Sequence, residues 1–453
     1  MKKLFLRIAI VVAMIMAILL GINAYLVWRN GARLEAQLAE LRAAGEPTSL
    51  KDLARPSIPP EKNAATYLRR EERDIQAIDD EMSKLEEELN EAEFKKWREK
   101  PFFTEEELKR MTSMAYRYFT FDAGKYSAAE QGMAWKIFDA HPKVIPLLES
   151  AAACPDYDPQ FDYADMGFCD LTILEHITKH RVLTRVLKVK GALLLARGRR
   201  EDALASMTLL LRLCRHFDRD PMFLGYLVAI ACRGTAITQA NEVLQSGPTG
   251  KQARDALERE LSQFDAAQAY TWAMKSERAW VIDPSPGRSW WAYFGLRAVG
   301  YESESYLLNV FDDYLAAASQ PYWEAQPIQL RSQPPRYLLT LHASIKDLRQ
   351  PFDTTRLAMD RERALVRALR VLNALQVKAA PDAKEPPKLS DLGLPPEATI
   401  DPFNGQPLRV KRVPQGWLVY SVGQNLIDDG GDYESGADVG IGPPGWKKGT
   451  ESK

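Results

Sequence analysis

Apolar residues fill positions 8–28, "IAIVVAMIMAILLGINAYLVW", without one charged side chain. As a helix this run spans about 31 Å, the thickness of a bilayer core. It exceeds the apolar stretch of about 7–15 residues found in secretory signals, so an uncleaved anchor is expected. Leu34, Leu38 and Leu41 recur at i, i+4 and i+7, which carries the helix on as a stalk that Gly45 and Pro47 end; the proline-rich linker "RPSIPPEKN" completes a stalk and linker over 29–60.

Residues 61–100 are strongly charged and lack an interior breaker, and Ile75, Ile78, Met82, Leu85 and Leu89 mark one narrow apolar stripe. This pattern predicts a long helix packed on the body or on a partner. Its acidic face reads as a solvated surface.

Helical spacing of apolar residues then continues over 127–150, 168–197, 199–217, 221–246, 250–280 and 353–379. Asp353 stands where an N-cap would begin the last of these. The segment 61–380 is therefore predicted to be an all-α body. Two stretches interrupt this body or end it. In 281–300 the aromatic residues Trp290, Trp291, Tyr293 and Phe294 cluster, as a core plug or as a ligand or membrane patch. In 381–400 closely spaced prolines forbid a helix, and a domain boundary is placed there.

Beyond that boundary the period changes from helical to extended. "PLRVKRV" and "WLVYSVG" flank "PQG" at 414–416, which predicts a β-hairpin with a three-residue turn. An Asp/Gly-rich loop follows, carrying Asp428, Asp429, Asp432, Glu434 and Asp438. Several carboxylates among glycines can offer the six to eight oxygens that calcium takes, although the EF-hand spacing is absent. Residues 443–453 read as a disordered tail. The predicted fold class is thus mainly α: a transmembrane helix, an all-α body and a small C-terminal β-hairpin.

Charge orients this plan. Sixty Lys and Arg balance 61 Asp and Glu, which gives no basic footprint and argues against nucleic acid as a partner. Lys2, Lys3 and Arg7 precede the apolar run. The positive-inside rule keeps residues 1–7 in the cytoplasm, so that 8–28 contacts lipid and the remainder is exported. The expected location is the cytoplasmic (inner) membrane, single-pass, with a periplasmic body and protein partners in the cell envelope. Export permits disulfides. Cys154 and Cys169 flank a Pro/Asp-rich loop and could pair; Cys214 and Cys232 complete the set, and all four equally suit small buried apolar positions.

Candidate chemistry is sparse. His176 and His180 lie four apart in "LEHITKH", a spacing that can chelate zinc on one helix face. The position that holds glutamate in an H-E-x-x-H protease is Ile177, and no third ligand is evident. His141, His216 and His342 look isolated. Asp156/Asp158 and Asp162/Asp165 are possible acid–base pairs in a loop.

Two local patterns are similar to known families. In 186–217, Gly198, Ala203, Leu204 and Leu211 resemble one tetratricopeptide unit, which implies an α-hairpin and a repeat-like body; an irregular bundle is the alternative. The tail resembles the C-terminal region of the major pseudopilin of type II secretion systems. The matching residues are Asp401, Pro402, Phe403, Gly405 and Pro407, then Tyr420, Ser421 and Gly423, then Gly430, Gly431, Ala437, Asp438 and Val439. The resemblance implies a structural calcium ion. Asp438 would be its foremost ligand, followed by Asp432, Asp429 and Asp428 and by the backbone carbonyl near Leu426. Gly423-Gln424-Asn425 departs from the family's Gly-Ala-Asp, and the N-terminus lacks the prepilin processing signature.

The expected function is that of a non-catalytic anchored envelope protein with an interaction body and a calcium-binding tail. The alternative is a membrane-tethered hydrolase using a metal at His176/His180 or the loop carboxylates.

Overall fold

A computed structural model describes residues 2–90, 123–163, 171–283, 297–325, 327–332, 339–378, 385–433 and 437–446. The first helix, α1, runs unbroken over Lys2–Ala43. From Arg7 it is long and apolar enough to cross a membrane, and its apolar window is not buried against the rest of the chain. It closes on Gly45, whose φ is +71°. The Gly45 amide donates to Arg42 O and the Glu46 amide to Leu41 O, the paired bonds of a Schellman cap.

The described helices continue as α2 (Ala64–Arg70), α3 (Glu72–Leu89), α4 (Ala128–Ala140), α5 (Val144–Ala153), α6 (Leu171–Ala196) and α7 (Arg200–Phe217). Then follow α8 (Phe223–Gln245), α9 (Lys251–Ser262), α10 (Ala266–Ile282), α11 (Arg297–Ala318), the short α12 (Tyr322–Ala325) and α13 (Leu339–Lys378). The fold is mainly helical, as the apolar spacing predicts.

The stalk is no free rod. Leu34 and Leu38 are buried with Ile282 and Leu308, and Asn30 Nδ2 donates to Ala298 O at 2.9 Å. The second half of α1 therefore lies along α11. At its end Glu46 pairs with Arg278, a guanidinium only 1% exposed.

Several predicted helices divide where a cap intervenes. The charged segment breaks at Glu71, and its stripe residues Ile75, Ile78, Met82 and Leu85 are buried. Ser127 and Glu130 form a capping box that starts α4. Asp265 caps α10 through the amides of Ala267 and Gln268, splitting 250–280 in two. The N-cap expected at Asp353 is not found: α13 begins at Leu339 and passes through Pro351. Asp353 instead accepts the Tyr314 hydroxyl at 2.5 Å.

Helices α6 and α7 form an antiparallel hairpin closed by Gly198, where the Arg199 amide reaches Leu194 O at 3.0 Å. Helix α8 packs on both, close enough that a Cβ at Gly191 would lie 3.0 Å from Met207 and Gln239 atoms. Leu187, Leu204, Leu210, Ala236, Val243 and Leu369 lie at the centre of the resulting core. Cys214 and Cys232 are buried there, while Cys154 Sγ lies 3.4 Å from Ser150 O; Cys169 lies outside the described residues, as do Trp290, Trp291, Tyr293 and Phe294.

The tail shares this core. Strands β1 (Arg409–Val413), β2 (Gly416–Ser421) and β3 (Val439–Ile441) form an antiparallel sheet in the order β1-β2-β3. The third strand adds to the expected hairpin. The turn holds two residues, Pro414 and Gln415, because Gly416 already pairs with Val413. Gly416 has φ +156°, and a Cβ there would lie 2.2 Å from Gln245 Oε1. Gln245 needs that space: its side-chain amide accepts from Trp417 N at 3.2 Å and donates to Trp417 O at 2.7 Å. Leu408, Trp417, Val419 and Ile441 are buried among residues of the helices. Residues before and after the proline-rich stretch thus share one apolar cluster.

The motif residues of the tail have local work. Asp401 is fully buried and accepts from Phe403 N, Ser421 Oγ and Val422 N at 2.6–2.9 Å, tying the start of the tail to the end of β2.

Candidate metal centre

Helix α6 places His176 and His180 one turn apart on a single face. Two other pieces of chain meet them. The first is the loop after α5, braced by the buried Asn63. Asn63 Oδ1 accepts from Asp158 N and Asn63 Nδ2 donates to Asp158 O, both at 2.9 Å. This brace fixes Tyr157, which is 1% exposed. Its hydroxyl lies 2.7 Å from His176 Nε2 and 3.1 Å from His180 Nε2.

The second piece is the corner between α7 and α8. Trp272 Nε1 holds it by donating to the carbonyls of Arg219 and Asp220, each at 3.2 Å. Met222, with φ +84°, turns the chain into α8, a left-handed conformation that costs a side-chain-bearing residue about 1–3 kcal/mol. Asp220 is carried inward by this corner. Its Oδ1 lies 3.1 Å from His176 Nε2, and its Oδ2 lies 3.3 Å from His180 Nδ1.

One ligand atom from each of His176, His180 and Asp220 lies within 4.8 Å of the others. His180 Nδ1 and Asp220 Oδ2 are buried and have no hydrogen-bond partner, so their proximity is not a well-aligned bond. Such unpartnered atoms are costly in an apolar interior, and a cation between them would satisfy both. Burial is also the chief reason why His180 titrates far below the ordinary histidine range, at about 3, which keeps its ring neutral and its lone pair available. Burial, and next the Asp220 charge, push the Tyr157 phenol well up.

Aromatic rings enclose the group. His180 stacks on Phe217 with centroids 3.7 Å apart, and Phe161 meets His176 edge-on at 5.0 Å. His216, isolated in the sequence, stacks on Tyr157 at 5.8 Å. Both histidines and Tyr157 reach the wall of a cleft of about 1000 Å³, whose other walls include Leu68, Arg69, Glu72, Gln76 and Glu175. Asp220 stands behind them.

Two histidines and a carboxylate suit a divalent first-row transition ion such as zinc or iron(II). Zinc asks for about 2.0–2.1 Å to nitrogen. His176, His180 and Asp220 would hold such an ion, with the Tyr157 hydroxyl beside them.

The loop carboxylates do not converge in this way. Asp156 pairs with Arg219 at 3.1 Å, and Asp158 Oδ1 accepts from Gln160 N at 2.8 Å. Asp165 lies outside the described residues. In the tail, Asp438 is fully buried. Its carboxylate accepts from Gly431 N at 2.7 Å, Asp432 N at 3.1 Å and Asp429 N at 3.4 Å. Asp428 Oδ1 accepts from Tyr420 Oη and Gly430 N, both at 3.0 Å, and Asp429 Oδ2 accepts from Asn425 Nδ2 at 2.7 Å. Leu426 is exposed, with φ +58°. Glu434 lies outside the described residues.

Asp220 and Tyr157 were not singled out in the sequence. Tyr157 belongs to the Pro/Asp loop that drew attention for its carboxylates, and Asp220 follows α7 in "FDRDP" with no spacing that links it to the histidines. No family model matches the chain, and no curated protein or solved structure is similar to it.

Proposed function

We propose that this chain is a single-pass membrane protein whose exported helical body binds one divalent transition-metal ion at His176, His180 and Asp220. The observation that carries this reading is the convergence of the three ligands behind the cleft wall, with two buried polar atoms unpartnered. The chemistry such an ion would supply is polarisation of a bound carbonyl or phosphoryl oxygen and activation of water, hence metal-assisted hydrolysis of a substrate in the cleft. Lys2, Lys3 and Arg7 before the apolar helix support a cytoplasmic N-terminus and a periplasmic body.

Cobalt(II) titration of the full chain in detergent tests the metal. A ligand-field spectrum saturating at one equivalent, and lost in His180→Ala and Asp220→Asn, supports it. A featureless spectrum in the wild-type chain removes the metal and returns the non-catalytic anchored scaffold.

The structural calcium at the tail is a second proposal, favoured by the burial of Asp438 at the centre of a loop that also carries Asp428, Asp429 and Asp432. It requires Asp438 to share its carboxylate between the ion and three amides. Calorimetric heat with calcium in the wild type and none in Asp438→Ala supports it; equal heats remove it.

A further inference from the structure

A second cleft, of about 820 Å³, lies between the C-terminal half of α7, α10 and Arg55. Its walls are cationic: Arg55, Arg212, Arg215, Arg219 and Lys275 face it, against Asp218 and Asp265. Both acids are already engaged. Asp218 receives two bonds from Arg233, at 2.8 and 2.9 Å, and Asp265 caps α10.

The cations are incompletely neutralised. Arg212 and Arg215 share one carboxylate, Glu260, each at 2.9 Å. Lys275 shares Glu46 with Arg278. Arg219 pairs with Asp156 at 3.1 Å. Arg55 reaches the carbonyl of Tyr157 at 3.3 Å, and its guanidinium lies 5.5 Å from the Trp272 ring centroid.

An independent feature points to a ligand. His216 lines the same cleft, but its ring is neutral and gives its N–H to the Ala151 backbone, so its buried Nε2 is an acceptor. The unmatched donor is Arg215 Nε, buried with no hydrogen-bond partner. A guanidinium N–H left unmatched beside a roomy cationic cavity calls for an acceptor.

We propose that this cleft binds a phosphate-bearing anion, with Arg55, Arg212, Arg215, Arg219 and Lys275 as its donors. A single carboxylate is satisfied by one arginine fork, whereas a phosphate presents three strong acceptor oxygens and up to two charges, enough for forks arriving from several elements. The phosphate comes either from a soluble metabolite or from an anionic lipid headgroup.

Calorimetry of the full chain in neutral detergent, with EDTA present so that the metal centre plays no part, tests this. The probes are inorganic phosphate, pyrophosphate, a short-chain phosphatidylglycerol and the matching phosphatidylcholine. At least one anionic probe binds the wild type, and phosphatidylcholine does not. Phosphatidylglycerol alone assigns a headgroup; phosphate or pyrophosphate assigns a soluble ligand. Arg219→Gln and Lys275→Gln each weaken that binding by about tenfold, while the remote Arg409→Gln leaves it unchanged. Thermal melting without ligand verifies that the variants fold. Absence of binding to every anionic probe, equal binding of phosphatidylcholine, or wild-type affinity in both variants overturns the proposal.

Discussion

His180 Nδ1 and Asp220 Oδ2 lie 3.3 Å apart in the interior, and neither has a hydrogen-bond partner. They come from elements 40 residues apart, α6 and the corner after α7. The corner itself is held by Trp272, Ser276 and the positive φ of Met222. Three separate devices therefore converge on the placement of one carboxylate. A purely apolar core would not need it, and the metal reading gives it a purpose.

Tyr157→Phe removes the hydroxyl that now joins the two Nε2 atoms but spares all three ligands. In EDTA the variant should be less stable by about 1–3 kcal/mol, the cost of leaving buried polar atoms unpaired. In saturating zinc the variant should regain most of that loss and hold the same one equivalent. Thermal unfolding in both buffers measures this; a loss of equal size with zinc present would show that Tyr157 is itself a required ligand.

Gln245→Ala should loosen the tail. The side-chain amide is the partner of both the N–H and the C=O of Trp417 on β2. Removing it strands two buried backbone groups, at a cost of about 1–3 kcal/mol. Hydrogen exchange at the Trp417 amide should accelerate while the amides of Leu210 and Leu211 on α7 stay protected. Unchanged exchange would mean that apolar packing alone docks the sheet.

Glu304 on α11 gives the body a pH dependence. Burial raises its carboxyl from 4.5 to about 7. A raised acid favours the folded state while protonated in it, so this contribution is full below pH 4.5 and is lost as pH rises to about 7. The slope is at most about 1.4 kcal/mol per pH unit in that window. Glu304→Gln should flatten it, with little change at acid pH and a gain at alkaline pH. Chemical denaturation across the window reads this out; a parallel curve for the variant would contradict it.

Glu46→Ala should free the end of α1 from the body. It removes one of the two carboxylates that face the buried Arg278, leaving only Asp312 at 3.2 Å. Limited proteolysis between Arg42 and Lys51 should become faster, with the helical core intact. Wild-type cleavage rates would show that Leu34, Leu38 and the contact with α11 suffice.

Much of the fold was legible because its signals are local. The charge-free run at 8–28, the stripe Ile75–Ile78–Met82–Leu85, the Gly198 helix end and the period-2 strands each depend on a few neighbouring residues. Boundaries failed where a tertiary contact decided them. Nothing near Asp353 says that the helix passes through Pro351, and the length of the 414–415 turn is set by Gly416 making room for Gln245, a residue some 170 positions earlier. The same limit governs the site. The i, i+4 spacing exposed His176 and His180, since one helix supplies both. Asp220 and Tyr157 come from separate loops, and His216 finds Tyr157 only when α7 packs beside the α5 loop. The prolines of 381–400 report on secondary structure and carry no information about which core Trp417 enters.

The most direct test of the central claim is native mass spectrometry of the full chain released from detergent after equilibration with zinc. The account predicts one bound ion per chain in the wild type and none in the Asp220→Asn, His176→Ala double variant. A wild-type mass without metal, or the same single ion retained by the double variant, would contradict it.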